Sequence, residues 1–179
     1  GCSSSGATAE KHRRAFGFSR ATSDWRVLVA DPKVDAIIIA TPQKFHRAIA
    51  EASFEIGKPF FCEKTLCTSL EDRSAILSAA NLANTINMVG FNYIKTPASQ
   101  YARKLVSSGR IGEVIWFRGE HTEDFLADPK VTATWRGRGR ANGTMGDLAP
   151  HMINAARRLV GPIKSLIAVV ETVHKERPS

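Results

Sequence analysis

Asp147 and His151 stand four residues apart, so a helix over residues 143–159 brings both side chains to one face, a turn from each other. A carboxylate placed there holds an imidazole, selects its tautomer and stabilises its protonated form, which is what a general base working near neutral pH needs. An ordinary surface Asp–His contact has the same spacing, so the pair alone does not decide. Met145, Leu148, Met152, Ala155 and Leu159 fall at spacings of three and four and give that helix an apolar face, with Gly161-Pro162 to stop it. A second candidate is Glu63-Lys64-Thr65, which follows an apolar run. A lysine beside a carboxylate is usually a solvated ion pair, but at the carboxyl end of a strand it points into a crevice and can donate to a developing oxyanion. Ala40-Thr41-Pro42 closes an earlier apolar run, with His46 in the first turn of the next helix. The plain alternative there is a proline-started helix that Thr41 merely caps.

Strands alternating with helices must position these groups. Residues 8–16 and 24–30 read as helices, the first closed by Gly17. Ala36-Ile37-Ile38-Ile39-Ala40 is continuously apolar and β-branched, which predicts a strand buried on both faces of a parallel sheet. Phe45, Ala48, Ile49, Ala52 and Ile56 follow at helical spacing up to Gly57. Residues 59–62 form the next short strand, Thr68 with Glu71 reads as a capping box opening a helix, and residues 86–90 form a third strand. The repeat predicts an α/β, Rossmann-like, doubly wound parallel sheet with right-handed crossovers, and Thr41-Pro42 and Glu63-Lys64 then share one edge of it. The rhythm changes afterwards. Thr96-Pro97 starts a helix with Ala98, Tyr101, Ala102 and Leu105 inward, while residues 114–118 and 165–171 read as strands on either side of the Asp147/His151 helix. The expected organisation is one domain over residues 1–93 and a second over 94–179, the latter α+β with an open, mostly antiparallel sheet.

With 179 residues, 43% hydrophobic and 23% charged, the chain is globular. No run approaches the roughly 18 apolar residues of a membrane span. The stretch Gly1-Cys2-Ser3-Ser4-Ser5-Gly6 lacks the basic-then-apolar order of a signal peptide, so a cytoplasmic protein without a membrane partner is expected. Cys2, Cys62 and Cys67 are odd in number and lack metal or redox spacing, which predicts reduced structural thiols and no metal site. A formal charge of +8 and a pI near 9.8 favour anionic partners: nucleic acid, phosphorylated metabolites or a phosphate-bearing cofactor. The basic run Trp135-Arg136-Gly137-Arg138-Gly139-Arg140 lacks the interleaved aromatics of a stacking platform, so it reads as a loop over cofactor or substrate and no nucleic-acid partner is expected.

Asp35-Ala36-Ile37-Ile38-Ile39-Ala40-Thr41-Pro42, Gly57-Lys58-Pro59 through Glu63-Lys64, Gly90-Phe91-Asn92-Tyr93, Gly109-Arg110-Ile111-Gly112 and residues 143–151 together resemble the Gfo/Idh/MocA family, in order and spacing, over nearly the whole chain. The resemblance implies an N-terminal Rossmann domain that binds a nicotinamide cofactor. It also implies a C-terminal domain whose open sheet supplies the substrate pocket and the contacts of a homodimer or homotetramer. The implied activity is NAD(P)-dependent hydride transfer to or from a secondary alcohol of a sugar, inositol or related polyol; the alternative is a non-catalytic relative that binds a nucleotide or sugar. Matched by motif, Lys64 corresponds to the lysine of the family's Glu-Lys-Pro motif, with Thr65 in place of the proline, and Asp147 and His151 to its aspartate and histidine. These three form the implied catalytic set. The implied cofactor contacts are Ser3, Ser4, Ser5, Arg13, Thr41, Pro42, His46, Glu63, Lys64, Asn92, Trp135 and Arg136. Two departures stand out. No Gly-x-Gly-x-x-Gly precedes the first complete strand, so the chain is expected to begin inside the second strand of such a domain and to lack the last strands of the other. Ser3-Ser4-Ser5, with Lys11 and Arg13 downstream, occupies the place where NAD-preferring sites carry an acidic residue. Hydroxyls and cations suit a 2′-phosphate, so NADP(H) is expected ahead of NAD(H).

Overall fold

The computed structural model describes residues 1–137 and 142–178, with Trp135 described in its backbone alone. Arg138, Gly139 and Arg140 of the basic run lie outside the described residues. The chain divides into two compact units, Gly1–Gly90 and Phe91–Ser179.

In the first unit, helix α1 (Gly6–Phe16) opens where the Ser5 hydroxyl accepts from the Thr8 amide, and it closes at Gly17, whose φ of 69° suits a residue without a Cβ. Helix α2 (Trp25–Ala30) is capped by Asp24. Lys58 Nζ donates to the carbonyls of Val29 and Asp31, both at 2.6 Å, the first of them an acceptor that the end of α2 leaves open. Strands β1 (Ile37–Ile39), β2 (Phe60–Glu63) and β3 (Asn87–Gly90) pair in parallel in the order β1-β2-β3. Ile39 lies opposite Cys62, and Glu63 opposite Gly90. Helices α3 (His46–Glu55) and α4 (Leu70–Leu82) make the crossovers.

Ile37, Ile39, Phe60 and Cys62 face Val29, Ile49, Ala50, Phe54 and Ile76, forming one core on one side of the sheet. Each Val, Ile or Phe among them contributes about 1.5–3 kcal/mol on burial. Burial, and then the charge of Glu63, pushes the Cys62 thiol up to about 12, so it is an inert packing group. The other side of β1 departs from the expectation of two-faced burial: Ile38 is 76% exposed. The reason is that α2, α3 and α4 all contribute to the same core and none covers Ile38. The cap of α4 also differs from the sequence reading. Ser69 rather than Thr68 is the N-cap, its hydroxyl accepting from the Asp72 amide at 3.0 Å, which places the acidic residues Glu71 and Asp72 in the first turn.

In the second unit, Thr96 caps helix α5 (Pro97–Ser107), with Pro97 at its start. The inward stripe is rotated from the expected one: Tyr101 is 63% exposed, while Ala102, Arg103, Leu105 and Val106 are half-buried. Arg103, which donates to the Arg158 carbonyl at 2.8 Å, sets that rotation. The single helix expected over residues 143–159 is two, α6 (Gly143–Asp147) and α7 (Ala149–Leu159), broken at Leu148. Pro150 is the cause. It has no N–H to give back to the preceding turn and its ring crowds that turn's carbonyl, so it is tolerated only where a new helix starts. The two strands expected at residues 114–118 and 165–171 are likewise not formed, and the antiparallel sheet they implied is absent among the described residues. Both segments are apolar and β-branched, but a strand exists only with a ladder partner, and Ile115 (90% exposed) and Ile167 (95%) pack against nothing that would hold one. No described helix is long and apolar enough to cross a membrane.

Candidate functional site

In the first unit the chemistry gathers at the carboxyl edge of the parallel sheet, where β1 leads into Thr41-Pro42 and β2 into Lys64-Thr65. His46 opens α3 between them and is 1% exposed. Its Nδ1 lies 3.0 Å from the Thr65 carbonyl and its Nε2 2.9 Å from the Thr41 carbonyl. Carbonyl oxygens only accept, so each bond forms where the facing ring nitrogen carries a proton. The imidazole is thereby committed to backbone. Thr41 Oγ1 is buried with no partner among the described residues, and a buried polar atom calls for one. Lys64 is half-buried and stands one residue beyond the β2 ladder, and the peptide between Lys64 and Thr65 is cis. Pro42 and Glu63 are exposed on the same edge. A Cβ at Gly90, opposite Glu63, would meet the Phe61 ring at 2.7 Å, so a side chain there requires that ring to shift.

The N-terminal candidates precede β1 in the chain. The Ser3 amide donates to the Thr22 carbonyl, and Ser4 is exposed. Ser5 spends its hydroxyl on the cap of α1. Arg13 donates from Nε and Nη2 to Glu10 at 2.8 and 2.9 Å. Bonds from Arg13 and Arg14 hold the Glu10 carboxyl down at about 2.

In the second unit His151 sits in the first turn of α7 and is 8% exposed. Tyr93 stacks on its ring, with centroids 4.1 Å apart and planes at 19°, and Phe91 meets it edge-on at 6.2 Å. His121 lies 5.7 Å from it and is itself bonded to Glu123 at 3.0 Å. Asp147, at the end of α6, accepts from Arg136 Nε at 3.0 Å. Arg136, expected at the cofactor, thus holds the carboxylate. Asn92 is exposed in the 3-10 turn before α5, and Trp135 begins a short turn of which only the backbone is described. Sequence reasoning missed Tyr93, His121 and Glu123. Tyr93 closes the Gly90-Phe91-Asn92-Tyr93 motif beside the more polar Asn92, and His121 and Glu123 fall in an irregular segment without periodicity to mark them.

Comparison with known proteins bears on both units. Residues 2–91 match the model of the oxidoreductase family with an NAD-binding Rossmann fold, and residues 99–179 match the GFO/IDH/MocA C-terminal domain. Levoglucosan dehydrogenase of Pseudarthrobacter phenanthrenivorans is 41% identical over 172 residues, covering 95% of this chain and 44% of the relative. The scyllo-inositol 2-dehydrogenase (NAD(+)) of Bacillus subtilis is 32% identical over 153 residues, 86% of this chain and 43% of that one. A solved levoglucosan dehydrogenase in complex with NADH and levoglucosan superposes with a TM-score of 0.94 at 39% identity, over 99% of this chain and 48% of the other. The chain therefore spans about half the length of the relatives it matches.

Proposed function

We propose, for a chain that belongs to the Gfo/Idh/MocA oxidoreductase family, the activity of a nicotinamide-dependent dehydrogenase acting on a secondary alcohol of a sugar, inositol or related polyol. One observation carries the proposal: the carboxyl edge of the parallel sheet, where open α/β folds hold nucleotides, presents the buried Thr41 hydroxyl with no partner among the described residues. That hydroxyl and the exposed Pro42 fit a nicotinamide cofactor, and the relatives named for NADH and NAD(+) support it. Between the two forms we place NAD(H) first. Ser3, Ser4 and Lys11 suit a 2′-phosphate, but Ser5 is spent on its cap and Arg13 on Glu10.

When bound, the nicotinamide ring supplies the hydride acceptor. The chain supplies the rest. Lys64, in the first unit, donates a hydrogen bond to the alcohol oxygen and stabilises the negative charge that develops there. His151, in the second, accepts the hydroxyl proton. Its ring is buried and held in plane by Tyr93, so its orientation is set before substrate arrives. Asp147, itself fixed by Arg136, favours the imidazolium that forms. Three free cysteines suit a cytoplasmic setting.

The test is a fluorescence titration of the full-length protein with NADH and NADPH, then turnover on levoglucosan, inositols, aldoses and ketoses. Lys64→Ala and His151→Ala should each lower turnover roughly a hundredfold or more with cofactor affinity little changed. Binding without turnover on any of these substrates would turn the reading toward a non-catalytic sensor. Unchanged turnover in both variants would remove the catalytic assignment.

A further inference from the structure

The resemblance places His46 at the cofactor, yet its ring is 1% exposed and bonded at both nitrogens to backbone carbonyls. Those carbonyls belong to two different loops. Thr41 lies two residues past the end of β1 and Thr65 two past the end of β2, on strands that pair directly. Lys64 is the first residue past the β2 ladder, whose last pair is Glu63 with Gly90. Beyond that pair the sheet no longer restrains the chain. Two residues on, the Thr65 carbonyl is held by His46 Nδ1 at 3.0 Å. Lys64 thus stands between a ladder residue and a clasped carbonyl, and its backbone is defined on both sides.

We propose that His46 is the positioning residue for Lys64: it locks the loop that carries the lysine against the Thr41 loop, and it acts on the reaction through that lysine alone. This rests on the reading of Lys64 as donor to the reacting oxygen. Nδ1 serves the lysine loop and Nε2 serves the Thr41 loop, so the two halves of the clasp are separable. An asparagine amide falls near the Nδ1 position and a glutamine amide near Nε2. His46→Asn keeps the bond to Thr65, and His46→Gln keeps the bond to Thr41.

In the full-length protein, with NAD+ and levoglucosan or scyllo-inositol, His46→Gln should lower kcat on the order of tenfold to a hundredfold, as a small misplacement of a reacting group does. Its NADH affinity should stay near that of the parent. His46→Asn should lose less in kcat and more in NADH affinity. Hydrogen–deuterium exchange over residues 63–67 should quicken in His46→Gln and not in His46→Asn, a readout independent of turnover. On a Lys64→Ala background, His46→Gln should cost nothing further in kcat, because a residue that acts through the lysine has nothing left to position. Equal deficits in the two His46 variants, or losses that multiply on the Lys64→Ala background, would overturn the proposal. Normal turnover in Lys64→Ala would instead break the reading of the lysine itself. Exchange over residues 63–67 would then still decide whether His46 fixes the loop.

Discussion

Thr41 carries two atoms with opposite duties. Its carbonyl accepts from His46, while its hydroxyl is buried with no partner among the described residues. A buried hydroxyl without a bond weakens the free protein, and valine has nearly the same shape without the polar atom. Thr41→Val should therefore leave the melting temperature of the free full-length protein unchanged or raise it, by up to about 1 kcal/mol of stability. If the hydroxyl serves the cofactor, the same variant should weaken NADH binding roughly fivefold, the worth of one ordinary hydrogen bond. Calorimetric melting and NADH titration check the two halves together. A destabilised variant with normal NADH affinity would show that the hydroxyl has a structural partner and no ligand duty.

Among the elements, α4 offers a test of how local chemistry sets a boundary. Thr68 and Ser69 are adjacent hydroxyl residues, and only Ser69 bonds an amide of the first turn. Ser69→Ala should cost about 1 kcal/mol, the usual worth of an N-cap, and Thr68→Ala close to nothing. Denaturant unfolding of the full-length variants decides; the reverse order would restore Thr68 as the cap. The same contrast explains what the sequence made legible. Helix α5 was readable because Thr96-Pro97 is a local signal, complete within one turn, and β1 to β3 were readable because their apolar runs are short and bounded. The inward face of α5 was not, since Arg103 and its bond to the distant Arg158 carbonyl chose it. The break at Leu148 was present in the sequence as Pro150, but the apolar spacing from Met145 to Leu159 runs through it and hides it. At the site, Lys64 and His151 were legible as candidates by motif. The clasp of His46 was not, because it joins a ring to two carbonyls, and backbone acceptors leave no mark in a sequence.

For the molecule as a whole, the apolar surface of the second unit sets the question. Ile115 and Trp116 in one segment and Ile167, Val169 and Val170 in the other are largely exposed, and neither segment forms a strand among the described residues. Apolar, β-branched segments with unpaired amides and carbonyls are the pattern of strands that lack their ladder, and a surface of that kind seeks cover. The chain spans about half the length of its matched relatives, and a full-length protein of their size would have more polypeptide with which to pair them. In that protein the amides of residues 115–117 and 167–169 should exchange with deuterium at least about tenfold more slowly than in an unstructured peptide, the mark of ladder bonds that open only rarely. Light scattering should give a dimer or tetramer if the face of that sheet is also the subunit contact. Slow exchange in a monomer would mean that pairing within one chain covers the segments. Fast exchange at every protein concentration would mean that residues 114–118 and 165–171 are irregular in the intact protein too, and the expectation of a sheet there would be lost.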